Sequence, residues 1–283
     1  MLSGRCRIHV LLPVCIALGL ALSGCRRETS SAVAGGDGAV DRRVLLLGNG
    51  AEPKGLDPHV VTGVAEYNIM AALFEGLVSE DPKTLAPLPG VAESWRISED
   101  GRVYTFSLRA GALWSNGKPV TAADFAASYR RMLLPSLAAE YAYMLYPLVN
   151  AKAFNTGALD DFSEVGVKAL DARTLELTLE HPIPYFLQLL NHYSWWPIHP
   201  ATIEMHGALD ARDNPWTRPE NFVGNGPFRL ARWDINREIV VMKNPLYWDA
   251  ATVQLDAIHF LPIDSADTEE RAFRDGKLHV TGG

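Results

Sequence analysis

Residues 95–108 read WRISEDGRVYTFSL, and the spacing inside this stretch decides what kind of fold the chain makes. Trp95 and Ile97 flank Arg96, while Tyr104, Phe106 and Leu108 alternate with Thr105 and Ser107. A period of two sends alternate side chains to opposite faces, so each run reads as a strand. Between them lies Ser98-Glu99-Asp100-Gly101-Arg102, and Asp-Gly between two alternating runs turns a chain back on itself. The stretch is a β-hairpin.

Outward from the hairpin the periodicity changes. Asn116-Gly117 marks a turn, and Thr121-Ala122-Ala123-Asp124 has the form of a capping box opening a helix. Phe125, Tyr129 and Met132 fall on one stripe of that helix. Leu175, Leu177 and Leu179 alternate with Glu176 and Thr178, a strand with one wet face. Pro184 suits the first turn of a helix through Tyr185, Phe186, Leu189 and Leu190. Residues 239–242 and 257–261 read as strands, Asp267-Thr268-Glu269-Glu270 opens a helix that Gly276 stops, and Leu278-His279-Val280 begins another strand. Upstream, residues 44–47 form a buried strand ended by Gly48-Asn49-Gly50. Ile69, Leu73 and Leu77, widened by Met70 and Phe74, predict a helix over 65–77. There is no internal repeat. Helices and strands in this irregular order indicate an α/β or α+β chain with more than one lobe.

The three cysteines, Cys6, Cys15 and Cys25, all lie in the first 25 positions. Arg5 and Arg7 precede a short apolar run, and Leu22-Ser23-Gly24-Cys25 closes it, the layout of a secretory signal. That ending resembles the lipobox of bacterial lipoproteins. The resemblance implies cleavage after residue 24 and lipid on Cys25, where more than one acyl chain is needed for a stable anchor. Arg26 follows the cysteine where aspartate commonly retains such lipoproteins at the inner membrane, which leaves outer-membrane sorting open. Residues 25–41 are small and polar and read as a flexible tether.

Cleavage would remove two arginines and take the net charge from −7 to −9. An acidic chain without a basic run excludes nucleic acid as partner. With 48% hydrophobic residues the remainder has ample material for buried cores. The absence of cysteine after Cys25 excludes a disulfide, a CxxC zinc site and a cysteine nucleophile.

Catalytic patterns are missing. No GxSxG elbow and no HExxH occur, and His181, His192, His199 and His206 are spaced irregularly. Gly224-Asn225-Gly226 runs straight into Pro227, so it is a turn before a strand rather than a phosphate cradle. Nothing singles out a pair of carboxylates for acid–base work. No cofactor, metal site or catalytic residue is expected.

Several segments together resemble one family, the extracytoplasmic oligopeptide-binding proteins of ABC importers (solute-binding protein family 5). They are Leu56-Asp57-Pro58-His59, Leu73-Phe74-Glu75-Gly76-Leu77, Val91-Ala92-Glu93-Ser94-Trp95 and Tyr104-Thr105-Phe106-Ser107-Leu108-Arg109. Asn116 to Phe125, Gly166 to Asp171, Asn225-Gly226-Pro227-Phe228 and Asn244-Pro245-Leu246-Tyr247-Trp248-Asp249 complete the set. Each is weak alone; their shared order carries the likeness.

The resemblance implies an α/β, periplasmic-binding-protein-like (type II) bilobal fold with an extra domain, truncated before the second lobe. Residues 42–74 and 191–283 would form the first lobe and 75–190 the additional domain. It implies a monomer when full length, in the periplasm or cell envelope, that captures oligopeptides through their backbone and delivers them to an ABC permease. Relatives specific for dipeptides, murein peptides, glutathione or nickel are the alternatives, as is an inactive remnant or, from another class, a lipid-anchored hydrolase. Thr62-Gly63-Val64 matches the peptide-binding loop, with Gly63 permitting close backbone approach. Tyr143 and His192 match positions lining side-chain pockets, with core packing as the alternative for each. Thr281 and Gly282 fall where the family chain enters the cleft. The family's terminus-binding charges lie beyond Gly283, so the isolated chain is expected to bind peptides weakly and to associate.

Overall fold

The computed structural model describes residues 43–282; Cys25, the expected signal of 1–24 and the tether of 25–41 lie outside them. Strand β1 (Val44–Gly48) leads through a long loop to helix α1 (Val64–Leu73). A short ribbon of β2 (Val78–Glu80) and β3 (Pro87–Pro89) precedes the hairpin of β4 (Ala92–Ile97) and β5 (Val103–Leu108). Helices α2 (Ala122–Leu133) and α3 (Ala151–Asn155) lead to β6 (Val167–Ala169) and β7 (Thr174–Thr178). Then come α4 (Phe186–Leu189), α5 (Pro200–His206), β8 (Phe228–Asp234), β9 (Glu238–Lys243), β10 (Ala257–Leu261) and α6 (Ala266–Arg274).

Two four-stranded sheets organise these elements. The first has the order β1-β10-β9-β8, with β1 parallel to β10 from Val44 opposite Ala257 to Gly48 opposite Leu261 and the rest antiparallel. The second, β4-β5-β7-β6, is antiparallel throughout and contains the hairpin. Gly101 turns the hairpin at φ +69°, a region open to glycine at little steric cost. Tyr104, Phe106 and Leu108 are buried as the alternation requires, whereas Ile97 at the end of β4 is exposed.

Each sheet has its own core. Phe106, Leu175 and Leu177 of the second sheet pack with Phe125, Tyr129 and Met132 of α2. Leu56 and Ile69, Met70 and Leu73 of α1 pack with Phe228, Ile239, Val241 and Phe260 of the first sheet. The chain passes between cores twice. Phe74 belongs to the first-sheet core and Leu77 to the other; Trp195 and Trp196, adjacent in sequence, divide the same way.

Four elements depart from the sequence reading. Helix α1 stops at Leu73, because Phe74 is extended and the amide of Gly226 takes the Leu73 carbonyl at 2.9 Å. Leu77 continues the apolar period but belongs to the next strand's approach, buried in the other core. The helix after Pro184 is a single turn, Phe186–Leu189. Strand β1 is half-buried rather than buried, since only β10 lies on one side of it and a bridge from Val280 on the other. The strand expected at 278–280 is reduced to that bridge. The ribbon β2–β3 carries no sequence signal, and Pro87 and Pro89 keep β3 at a sheet edge.

Candidate functional site

The loop between β1 and α1 is pinned at both ends. Asn49, buried, donates to the Ala65 carbonyl at 3.0 Å and accepts from Asn68 at 3.2 Å. In mid-loop, the Arg131 guanidinium from α2 grips Asp57 through Nη1–Oδ1 at 2.9 Å and Nη2–Oδ2 at 2.6 Å. Its Nε donates to the Leu209 carbonyl. His59 Nδ1 faces the same Nη1 at 3.1 Å, while Nε2 lies 3.2 Å from the Trp196 carbonyl. A neutral ring with the proton on Nε2 satisfies both partners. Burial and the Arg131 charge depress the His59 pKa to about 4. Burial would raise the Asp57 carboxyl, but the charge and hydrogen bonds of Arg131 outweigh it and hold it below the ordinary value.

Beyond this lock the backbone is extended at Gly63, the N-cap of α1, and Val64 is the helix's first residue. The N–H groups of Thr62, Gly63 and Val64 have no acceptor among the described residues, and Thr62 and Val64 are exposed. The three residues lie in the wall of a cavity of about 700 Å³ with Asn49, Glu66, Glu140 and Arg212. Val64 opens α1, where the first N–H groups have no intrahelical acceptor, so these donors are open to water or to a ligand. Gly63 has a local reason to be bare: a Cβ there would collide with Oε2 of Glu66, whose Oε1 accepts from the Lys54 amide at 2.7 Å.

Thr62, Gly63, Val64 and Gly282 line this cavity together. Thr281 and Gly282 also line a second, of about 470 Å³, floored by Leu47, Ala72, Phe228, Ile258 and Phe260. The chain end runs beside β1, with Gly282 N donating to Glu269 Oε1 at 2.8 Å and Gly48 N to the Val280 carbonyl at 2.9 Å. Tyr143 and His192 line neither cavity. Both rings instead meet Tyr141, at centroid distances of 6.0 and 5.1 Å. Tyr143 is 53% exposed, which excludes core packing as its role. His192 Nδ1 accepts from the Ser194 amide at 3.2 Å and caps a short turn, and burial lowers its pKa.

Tyr193 stacks on His192 at 4.3 Å and lies 6.0 Å from Tyr67. Burial in this aromatic band pushes the Tyr193 hydroxyl pKa up, aided by Tyr141, Glu66 and Glu140, and the two glutamates also line the larger cavity. Sequence reasoning missed Asn49, Glu66, Glu140 and Arg212. Only Asn49 had a signal, since it follows a strand that pairs in parallel, and ligands favour the carboxyl ends of such strands.

A second polar cluster joins motifs far apart in sequence. Glu75, buried, accepts from the Tyr247 hydroxyl and from Trp248 Nε1 at 2.7 Å. Asn225 clamps its backbone, accepting from the Glu75 amide at 3.0 Å and donating to its carbonyl at 2.8 Å. The Arg109 guanidinium sits 3.7 Å over the Trp248 ring. Burial raises the Glu75 pKa to about 7 against the opposing hydrogen bonds of Tyr247 and Trp248. Among the described residues no three His, Cys, Asp or Glu side chains are grouped to hold a metal.

The family profile described as bacterial extracellular solute-binding proteins, family 5 middle, matches residues 86–283. The periplasmic oligopeptide-binding protein OppA of Salmonella typhimurium is 40% identical over 94% of this chain and 48% of its own length. The periplasmic murein peptide-binding protein MppA of Escherichia coli is 33% identical over 96% of this chain and 49% of its own. Haemophilus influenzae OppA, solved in complex with the peptide RPPGFSPFR, superposes with a TM-score of 0.80 at 37% identity, covering 85% of this chain and 46% of that one. The chain thus spans about half the length of the curated relatives it matches.

Proposed function

Since this chain belongs to the bacterial extracellular solute-binding proteins of family 5, we propose that it captures oligopeptides at Thr62-Gly63-Val64 and delivers them to the permease of an ABC importer. The observation that carries this reading is three consecutive N–H groups without an acceptor among the described residues, at the approach to α1 and its first position, in the wall of a cavity of about 700 Å³. An extended peptide offers a repeating pattern of carbonyls and amides, so pairing with exposed backbone recognises peptide without reading its side chains. A cavity of that size falls within the ordinary range for ligand sites. Tyr143 and His192 then stand at the edge of the side-chain space, next to the aromatic band rather than on the backbone rail.

In this reading residues 75–190 are an additional domain carried between two segments of the first lobe. The protein works in the periplasm without catalysis, held to a membrane through lipid on Cys25. Cys25→Ser should release it from membranes, and continued attachment would remove the anchor.

The capture site is tested by recording amide resonances while adding tri- to pentapeptides and analogues in which E-alkenes replace the internal peptide bonds, which removes the carbonyls that the protein N–H groups would meet. Unmodified peptides should shift Thr62, Gly63 and Val64 saturably, be recovered uncleaved and bind weakly. Equal binding of the alkene set, or shifts confined elsewhere, would refute backbone capture.

A further inference from the structure

Beside the larger cavity lies another of about 360 Å³, and the two share Lys54, Val60, Val61 and Arg212 in their walls. The smaller one adds Asp57, Asp213 and Arg218. Three cations therefore surround one space. None of the three has a carboxylate within salt-bridge distance among the described residues, and the Asp57 carboxylate is already held by Arg131. Glu66, on the neighbouring wall, is taken by the Lys54 amide. Asp213 is the remaining carboxylate of this cavity, so its lining carries excess positive charge on a chain whose net charge is −7.

Arg212 is also positioned. Its Nη1 donates to the carbonyls of Leu137 at 2.7 Å and Ala138 at 2.9 Å. Ala138 holds a left-handed conformation at φ +51°, which an alanine adopts only at a cost. A guanidinium fixed by neutral carbonyls keeps its full charge and its remaining donors, in the planar arrangement that suits a carboxylate. Arg212, like Lys54 and Arg218, is exposed, so the two carbonyls orient its guanidinium at an open pocket and do not bury it.

The geometry points to a carboxylate subsite: Lys54, Arg212 and Arg218 receive an acidic side chain of the bound peptide. This deepens the peptide reading and rests on it. Glu140, on the wall of the larger cavity and away from the three cations' own pocket, opposes an acidic group placed elsewhere in the cleft.

The test follows the side-chain Nε resonances of Arg212 and Arg218 in the full chain during titration with glutarate and with neutral glutaramide. Glutarate should shift both saturably and glutaramide should not. Arg218→Gln and Lys54→Gln, both at exposed positions, should each weaken glutarate binding about fivefold; they keep the test intact should Arg212→Gln fail to fold. Ala-Glu-Ala amide should bind better than Ala-Gln-Ala amide, whereas trialanine and its C-terminal amide should bind alike. Equal responses to glutarate and glutaramide, no discrimination between the Glu and Gln peptides, or discrimination by the terminal carboxylate alone would overturn the subsite. Glutarate binding with no peptide shift at Thr62 to Val64 would support the subsite's anion chemistry while removing backbone capture.

Discussion

Arg131 on α2 and Asp57 in the loop before α1, 74 positions apart, form a two-pronged ion pair with no exposure of the arginine side chain. The pair joins the helix of one core to the loop that presents Thr62-Gly63-Val64. Asp57→Asn should destabilise the protein by about 3–5 kcal/mol, because a buried guanidinium loses its counter-charge. The double variant Asp57→Leu with Arg131→Met should lose less than either single change, since two apolar groups leave no stranded charge. Denaturant unfolding of Asp57→Leu, Arg131→Met and the double variant checks this, and additive losses would contradict it.

Acid should loosen the same lock. The folded-state pKa values of His59 and Asp57 are both depressed, so the unfolded chain binds more protons. The His59 contribution is whole above its ordinary value of 6.5 and is lost as pH falls towards about 4; the Asp57 contribution is lost below its ordinary 3.8. Melting temperature measured from pH 7 to pH 4 should therefore fall, and His59→Gln should flatten the upper part of that decline. An unchanged slope in the variant would place the acid sensitivity elsewhere.

Glu75 has the opposite sign. Its folded pKa is raised from 4.5 to about 7, so its contribution is whole below 4.5 and disappears as pH rises through 7. Glu75→Gln keeps an acceptor for Trp248 and a polar partner for Tyr247 without the charge. Between pH 5 and pH 8 the wild type should lose about 2–3 kcal/mol relative to this variant, the equivalent of roughly two pKa units. Parallel pH profiles for the two proteins would show that Glu75 is ionised in the fold at no cost.

At the start of α2 the capping box is formed, with Thr121 N donating to Asp124 Oδ2 at 2.8 Å and Asp124 N to Thr121 Oγ1 at 3.2 Å. The same Oδ2 accepts from Trp114 Nε1, an indole with no exposure. Thr121→Ala should cost about 1 kcal/mol, the usual loss for a cap. Asp124→Ala should cost about 2–3 kcal/mol, because it also strands a buried N–H. Equal costs for the two would mean that the indole finds another acceptor.

Gly226 leaves no space for a side chain. A Cβ there would lie 2.5 Å from the Leu73 carbonyl carbon and 2.6 Å from the Phe74 nitrogen, both backbone atoms that cannot rotate away. Gly226→Ala should destabilise by about 3 kcal/mol, at the upper end of overpacking costs. Gly111→Ala, where nothing lies within 4 Å, should be nearly silent. Thermal denaturation of the pair decides the point.

What the sequence revealed follows the range of the forces involved. The 95–108 hairpin, the Thr121 box and the β9 and β10 strands were legible because their signals lie within a few residues. Helix α1 was read four residues too long because its stop is met by Gly226, about 150 positions away, and the local breaker Gly76 lies three residues beyond it. Within the cleft, resemblance pointed to Thr62, Gly63 and Val64. Glu140 and Arg212 were invisible, being single polar residues in turns that only tertiary packing brings to the cavity wall. His192 was matched to a pocket position or to packing, and its Nδ1 caps a short turn.

The parallel pairing of β1 with β10 has a consequence in time. Arg43, just before β1, bonds to Asp256, 213 residues later, so the first sheet cannot close until nearly the whole described chain is available. The second sheet joins partners within 92–178 and can be finished long before that. Distant pairing is slow because a large loop must be closed before any contact repays it. Pulse-labelled hydrogen exchange should therefore protect amides of β5 and β7 before those of β10. During that interval the early half of the molecule waits with β1 unpaired, a stage at which a chaperone holding the chain would set how much protein survives.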